Sequence, residues 1–281
     1  MIEGDGQLGV RERRQAILRL ILERESVTVH ELADRFGVSN MTVHRDLDAL
    51  EERGVLRKVR GGATAQPTAA YESSLGYRLG ENPEAKERIA RVAAQMVEPG
   101  SSLVLDDSTT GLAMLPHLAR IPELTIVTTF VSIVDEVARM TEGTVNLIVV
   151  GGTYNAKYHA FGGMMAQQAL RNLRVDRCFM AALIDVKRGA FHREADQAAL
   201  KQTMLEIADA RTLLADYSKF SKRGTHRVAG LDAFDDAVVD DRTDSEVLAA
   251  LRSAGLEVHI AGPADAHDRD RHDTRDGATR R

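Results

Sequence analysis

Two groups of residues have types and spacings suited to binding chemistry. The first is the run Asp106-Asp107-Ser108-Thr109-Thr110, which follows an apolar stretch and opens a helical pattern. Where a strand turns into a helix, backbone amides are left unpaired and the helix dipole adds positive potential, so such a corner attracts anions. Ser108, Thr109 and Thr110 add hydroxyl donors. Two later apolar stretches end in Thr128-Thr129 and in Gly151-Gly152, and another is followed by Asp216-Tyr217-Ser218-Lys219. Lys219 offers a mobile cation for a phosphate. Asp107 and Asp216 offer acceptors for sugar hydroxyls, although beside a phosphate they would repel it. The chemistry indicated is the capture of a small phosphorylated, hydroxyl-bearing molecule. Each piece also has an ordinary structural use: Ser-Thr-Thr caps helices, Gly-Gly turns chains, and Asp216 can simply orient Lys219.

The second group lies near the N-terminus. On a helical wheel of 100° per residue, Val43, Leu47 and Leu50 share one side, while Met41, Arg45, Asp48 and Glu52 lie opposite. Thr42 and His44 flank them. A helix that reads DNA does so with its N-terminal part, which here holds Ser39, Asn40, Met41, Thr42, His44 and Arg45. Arg45 suits bidentate bonding to guanine, and Asn40, His44 or Met41 suit base edges or a thymine methyl. Asp48 and Glu52 lie deeper, outside a groove. Arg57, Lys58 and Arg60, around Gly61-Gly62, are placed to neutralise phosphates.

The elements that must position these residues follow from periodicity and punctuation. Helices are predicted over 11–25, 29–36 and 40–53. Gly37 ends the second, Ser39 caps the third by accepting from the Thr42 amide, and Gly54 stops it. Three short helices with a glycine turn form a helix-turn-helix pattern, and the extended pieces over 55–64 read as a hairpin, or wing. Residues 65–82, rich in Ala, Ser and Gly with Pro67, read as a linker. Beyond residue 83, strands are predicted over 102–106, 125–129, 147–150, 178–184, 212–215, 237–240 and 257–261. Helices are predicted over 84–97, 110–120, 131–140, 164–172, 197–209 and 245–253. This alternation predicts an α/β fold with a mostly parallel sheet covered by helices on both faces. Such sheets bind ligands at the carboxyl ends of their strands, so the Ser-Thr-Thr, Thr-Thr and Gly-Gly segments should converge. The expected organisation is a winged helix-turn-helix domain over 1–64, a linker over 65–82, an effector-sensing domain over 83–262 and a charged, disordered tail over 263–281.

Bulk properties bound these readings. A chain of 281 residues with 43% apolar content suits about two domains with a sizeable core. The net charge of -5 is not that of a nucleic-acid binder as a whole, so local clusters must meet DNA phosphates. Arg11, Arg13 and Arg14 form one cluster; Arg53, Arg57, Lys58 and Arg60 form another. The single cysteine, Cys178, excludes an intrachain disulfide, and its neighbours Phe179, Met180 and Ala181 suggest a buried strand thiol. No apolar run approaches the roughly 20 residues needed to span a bilayer. The first ten residues lack the order of a signal peptide, so a cytoplasmic location without a membrane partner is expected. The histidines show no metal-ligand spacing; neither metal nor cofactor is expected.

Taken together, the stretch from Val38 to Leu47, Leu50-Glu51, Gly54 and Arg60-Gly61-Gly62-Ala63 resembles the DeoR family of bacterial transcription regulators. So do Lys86 with Ile89-Ala90, the run from Leu105 to Thr110, Val127-Thr128-Thr129, Gly151-Gly152, Phe161-Gly162-Gly163 and the run from Ala215 to Phe220. The resemblance runs from about Arg11 to Asp241. It implies a repressor of carbohydrate, polyol or nucleoside catabolic genes, relieved by a sugar phosphate, with a sensor domain similar in fold to ribose-5-phosphate isomerase. It also implies that Arg78 and Lys86 contribute to the effector response. Three positions depart from the usual pattern: His44 replaces an arginine, Ser108 a glycine and Thr129 an asparagine. The first bears on the operator sequence, the others on the ligand. The isomerase-like fold raises an enzymatic alternative, but Asp107 is the only obvious general base and no second acid accompanies it, so no catalytic residue is assigned. A regulator with a vestigial pocket is the other alternative. One small reading head gives little interface for tight binding to an operator, so at least a homodimer is expected.

Overall fold

The computed structural model describes residues 9–24, 26–52, 55–65, 74–140 and 145–263. The expected helix stop at Gly54, much of the 65–82 linker and all but the first residue of the 263–281 tail lie outside these residues. The chain divides into two compact units between Arg78 and Leu79.

The N-terminal unit contains helices α1 (Val10–Arg24), α2 (Val29–Phe36) and α3 (Asn40–Glu52). Helix α2 starts where Thr28 Oγ1 accepts from the Glu31 amide at 3.2 Å, and it ends where Gly37 turns left-handed at φ 61°. Ser39 Oγ accepts from the Thr42 amide at 3.2 Å, which satisfies one unpaired donor of α3 as expected. Ile17, Ile21, Leu32, Phe36, Val43, Leu47 and Leu50 close one core. The wing is β2 (Leu56–Val59) and β3 (Gly62–Ala65), joined by an unexpected strand β1 (Ser26–Thr28) in the order β1-β3-β2. At Gly62 the strands approach so closely that a Cβ would lie 2.2 Å from the Val27 carbonyl oxygen. A short helix α4 (Leu75–Gly80) occupies part of the expected linker.

The second unit is built on a seven-stranded parallel sheet in the order β15-β14-β12-β9-β4-β5-β6. Its strands are β4 (Ser102–Leu105), β5 (Leu124–Thr128), β6 (Val145–Val149), β9 (Val175–Ala181), β12 (Ala208–Ala215), β14 (Asp236–Asp240) and β15 (Glu257–Ala261). The chain runs outward from β4 to β6, then outward the other way from β9 to β15. The direction therefore reverses between β4 and β9, the place where open α/β sheets leave a crevice at the strand ends. Helix α5 (Pro83–Ala94) leads into this sheet. The expected helix over 110–120 is two, α6 (Thr109–Ala113) and α7 (Leu115–Leu118), divided beside Pro116, which has no amide to continue the ladder. Helices α8 (Val131–Val137), α9 (Gly163–Leu170), α10 (Ala195–Glu206) and α11 (Ser245–Ser253) complete the set.

Short antiparallel strands were not foreseen. β7 (Thr153–Asn155) pairs β8 (Ala160–Gly162), and β10 (Leu183–Asp185), β11 (Gly189–His192) and β13 (His226–Ala229) form a small second sheet. The single strand expected over 178–184 is thus β9 and β10 separated at Ala182. Cys178 is fully buried in β9 among Val104, Met180 and Leu213. Burial, reinforced by the nearby Asp106 charge, pushes its thiol pKa well above the ordinary value. Among the described residues no helix is long and apolar enough to cross a membrane.

Candidate DNA-reading face and effector site

The first half of α3 presents its polar face outward. Ser39, Asn40, His44 and Arg45 are exposed, Thr42 is half-buried, and Met41 is 63% exposed. Arg45 has no ion-pair partner among the described residues, which suits a guanidinium awaiting a base edge or a phosphate. In the wing, Arg57 and Arg60 are exposed. Lys58 is not free in the same way. Its ammonium pairs with Asp48, and its amide donates to Glu51 Oε1 at 2.7 Å, so it ties the wing to α3. It can meet a phosphate only by giving up Asp48.

The first basic cluster needs correction. Arg13 Nε and Arg14 Nε both bond to Asp46, at 2.7 Å each, and Asp46 is buried. These arginines hold α1 against α3, and of that cluster Arg11 alone is fully exposed. Arg53, in the second cluster, lies outside the described residues. Arg45→Ala is expected to weaken specific DNA binding by about 1–3 kcal/mol and to relax preference at one base pair. Arg60→Ala, which removes an exposed wing cation, should weaken binding to all sequences alike and reduce the salt slope. Titration of a selected duplex and its single-base variants at two salt concentrations separates the two effects.

In the second unit, the crevice between β4 and β9 is held by a buried charge cluster. Asp106 Oδ1 accepts from the Ser108 amide at 3.0 Å, and Oδ2 accepts from the Ala181 amide at 2.9 Å and from the Lys201 ammonium. Lys201 Nζ also lies 2.9 Å from Asp107 Oδ1 and donates to the Ala181 carbonyl at 3.2 Å. Burial alone would lower the Lys201 pKa. The two carboxylates outweigh it and hold that pKa above the ordinary lysine value, so the group stays charged. Lys201 was not anticipated. A signal existed: it sits one turn after Gln197 and among Leu200, Met204 and Leu205 on the buried face of α10, where a lysine rarely lies without a partner.

The other expected ligand groups sort by what they already do. Ser108 Oγ caps α6 by accepting from the Gly111 amide at 2.9 Å. Thr109 and Thr110 are buried at the start of that helix. Thr128 Oγ1 donates to the Leu105 carbonyl at 2.9 Å and accepts from the Phe130 amide at 3.1 Å, which braces the ends of β4 and β5. Thr129 is different: it is buried, and its hydroxyl has no hydrogen-bond partner among the described residues. Leaving such a group unpaired costs about 1–3 kcal/mol, so of the hydroxyls predicted to meet a ligand it is the one with unused hydrogen-bonding capacity. Gly152 allows close backbone approach, since a Cβ there would lie 2.4 Å from the Gly162 carbonyl oxygen, while Gly151 is exposed.

Lys86, Asp216 and Lys219 gather at the end of β12, two strands from β4 and so on the order of 10 Å away. Asp216 Oδ1 accepts from Asn82 Nδ2 (3.0 Å), the Ser218 amide (3.0 Å) and Ser218 Oγ (2.5 Å). Lys219 Nζ lies 3.5 Å from Asp216 Oδ2 and 3.7 Å from Glu81 Oε2. Burial would raise the Asp216 pKa, but Lys219, the Ser218 hydrogen bonds and Lys86 bring it below the ordinary value. Lys219 is therefore already paired, and Lys86 is buried. Arg78 belongs to the N-terminal unit, on α4. At the opposite end of the sheet Asp236, Glu257 and His259 come within 4.8 Å of one another. Arg177 Nη1 bonds to Asp236 there at 2.6 Å, and its charge opposes a metal ion.

A winged helix-turn-helix with an exposed reading face, followed by an α/β sensor domain, defines a transcription regulator. Residues 13–68 match the DeoR-like helix-turn-helix domain, and residues 81–241 match the DeoR C-terminal sensor domain. The chain belongs to the DeoR family. It is 32% identical to the HTH-type transcriptional regulator YgbI of Escherichia coli (strain K12), over 89% of this chain and 97% of that one. It is 31% identical to the transcriptional repressor AccR of Agrobacterium fabrum, over 83% and 90%. Among solved structures, ribose 5-phosphate isomerase A of Methanocaldococcus jannaschii aligns with a TM-score of 0.34 at 14% identity, covering 50% of this chain and 55% of that one. That likeness is too distant to carry an argument about function.

Proposed function

We propose that this regulator is a repressor of carbohydrate, polyol or nucleoside catabolic genes that binds its operator as at least a dimer and releases it when a phosphorylated sugar enters the sensor domain. The observation that supports this best is the unpartnered, buried Thr129 hydroxyl at the sheet end, one strand from Asp106, Asp107 and Lys201. Donors and acceptors for sugar hydroxyls lie at the end of β4, and lysines for a phosphate lie at the end of β12. The arrangement supports binding rather than turnover. Asp107, the one candidate base, is engaged by a charged Lys201, and a base so held is poorly placed to take up a proton.

The test selects a duplex from a random library with the purified protein, then titrates the complex with pentose, hexose and polyol phosphates and with their unphosphorylated counterparts. At least one phosphorylated compound should lower DNA affinity and be recovered unchanged. Conversion of that compound would favour the enzymatic reading. Indifference of DNA affinity to every compound would favour a regulator with a vestigial pocket.

A further inference from the structure

We propose that Lys219 and Lys222 form an anion site that Glu81 plugs in the effector-free protein, and that a phosphate group opens it by displacing the Glu81 carboxylate. The inference rests on the phosphate-sensing reading above; it adds the site and the moving part. Glu81 Oε1 pairs with the Lys222 ammonium, and Oε2 lies 3.7 Å from Lys219 Nζ. One carboxylate is thus held between two ammonium groups, one to each oxygen, the way a phosphate would be held. All three side chains are largely buried, so solvent screens their attraction weakly.

Charge balance favours the exchange. Lys86, Lys219, Lys222 and Arg242, whose guanidinium stacks 3.7 Å over the Tyr217 ring, stand against Glu81, Asp216 and the buried Asp240, whose Oδ1 accepts from the Tyr217 amide, an excess of one positive charge around the end of β12. A phosphomonoester carries close to two negative charges at neutral pH. In place of Glu81 it would remove that excess, and its third oxygen would add an acceptor that a carboxylate lacks. Asp216 is the wrong group to leave, because Asn82 and Ser218 fix one of its oxygens with three hydrogen bonds. Glu81 sits in a bend just ahead of α5.

The position of Glu81 gives the exchange a consequence. The sensor unit begins at Leu79, so Glu81 and Asn82 are among its first residues and follow directly from the DNA-reading unit in the chain. Asn82 adopts a left-handed conformation at φ 48°, and its side chain does not cap α5. It bonds instead to Asp216, and it accepts from the Tyr217 hydroxyl at 3.2 Å. Ion pairs and hydrogen bonds thus fasten residues 81–82 to the loop that carries Lys219 and Lys222. A phosphate that takes the lysines undoes the ion-paired half of that fastening.

The test titrates the full-length protein with inorganic phosphate and, separately, with ribose 5-phosphate as a soluble phosphomonoester, at matched ionic strength. Calorimetry compares the parent with Glu81→Gln and Lys222→Met. Glu81→Gln should bind both probes about tenfold more tightly, and Lys222→Met about tenfold more weakly. Unchanged or weaker affinity in Glu81→Gln would overturn the plug while leaving phosphate sensing in place. Absence of binding in all three proteins would overturn phosphate sensing as well. A second measurement needs no variant: in the parent, phosphate should speed amide hydrogen exchange at residues 80–82. Slower or unchanged exchange there would contradict displacement.

Discussion

Replacing Asp46 by alanine is expected to unfold the DNA-reading unit while the sensor unit stays folded. Asp46 is 1% exposed and takes two guanidinium bonds from α1, where Arg13 is itself nearly buried. Removing one partner of a buried ion pair leaves the other charge without compensation, at about 3–5 kcal/mol. A unit of this size has only a few kcal/mol of stability in all. Urea unfolding followed by circular dichroism should lose its transition for the N-terminal unit, keep the one for the sensor, and be matched by loss of DNA binding. Asp46→Asn preserves shape and some hydrogen bonding, so its effect should be smaller. An unshifted transition in Asp46→Ala would show that the two arginines hold nothing.

Lys201→Met should be the most damaging single change in the sensor unit, and its effect should depend on pH. The methionine fills the space but leaves Asp106 and Asp107 adjacent and buried without their cation. The expected cost near neutral pH is again about 3–5 kcal/mol. In the variant the carboxylate pair resists full ionisation, so its folded-state pKa rises above the unfolded value. Stability should then recover as pH falls through that raised pKa, because a proton replaces the lost charge. The parent behaves otherwise. Its Lys201 pKa is raised, so the contribution of this group is complete below the ordinary lysine range and declines only as pH rises beyond it. Thermal melts of both proteins between pH 5 and 8 test this; equal slopes would contradict it.

What the sequence made legible was local. Ser39, Gly37 and the spacing of Val43, Leu47 and Leu50 specify α3 within a few residues, and α2 matches its expected span. The seven strands of the sheet announce themselves as apolar runs between helical patterns. What stayed hidden depends on distant partners. β1 is three residues long and pairs with β3, from Ser26 opposite Thr64 onward, so nothing near it marks it as a strand. Arg13 and Arg14 look like phosphate contacts until Asp46 is brought beside them by the packing of α1 on α3. Lys201 meets an aspartate 95 residues away, and its burial is visible only once α10 has a face. Lys219 was legible as a cation at a strand end, but its engagement by Glu81 depends on where the chain enters the sensor unit.

The burial of Cys178 sets a limit on what this regulator can report. A thiol must ionise and meet solvent before peroxide, a disulfide or a heavy metal can react with it. This one lies inside the parallel sheet, with its ionisation suppressed by burial. It is the only cysteine in the chain, so no thiol on the folded surface is left to cross-link two copies or to take up an oxidant. Oxidative stress therefore has no direct thiol route into this protein. A swing in the cell's redox state finds no cysteine on this protein through which to alter its hold on DNA.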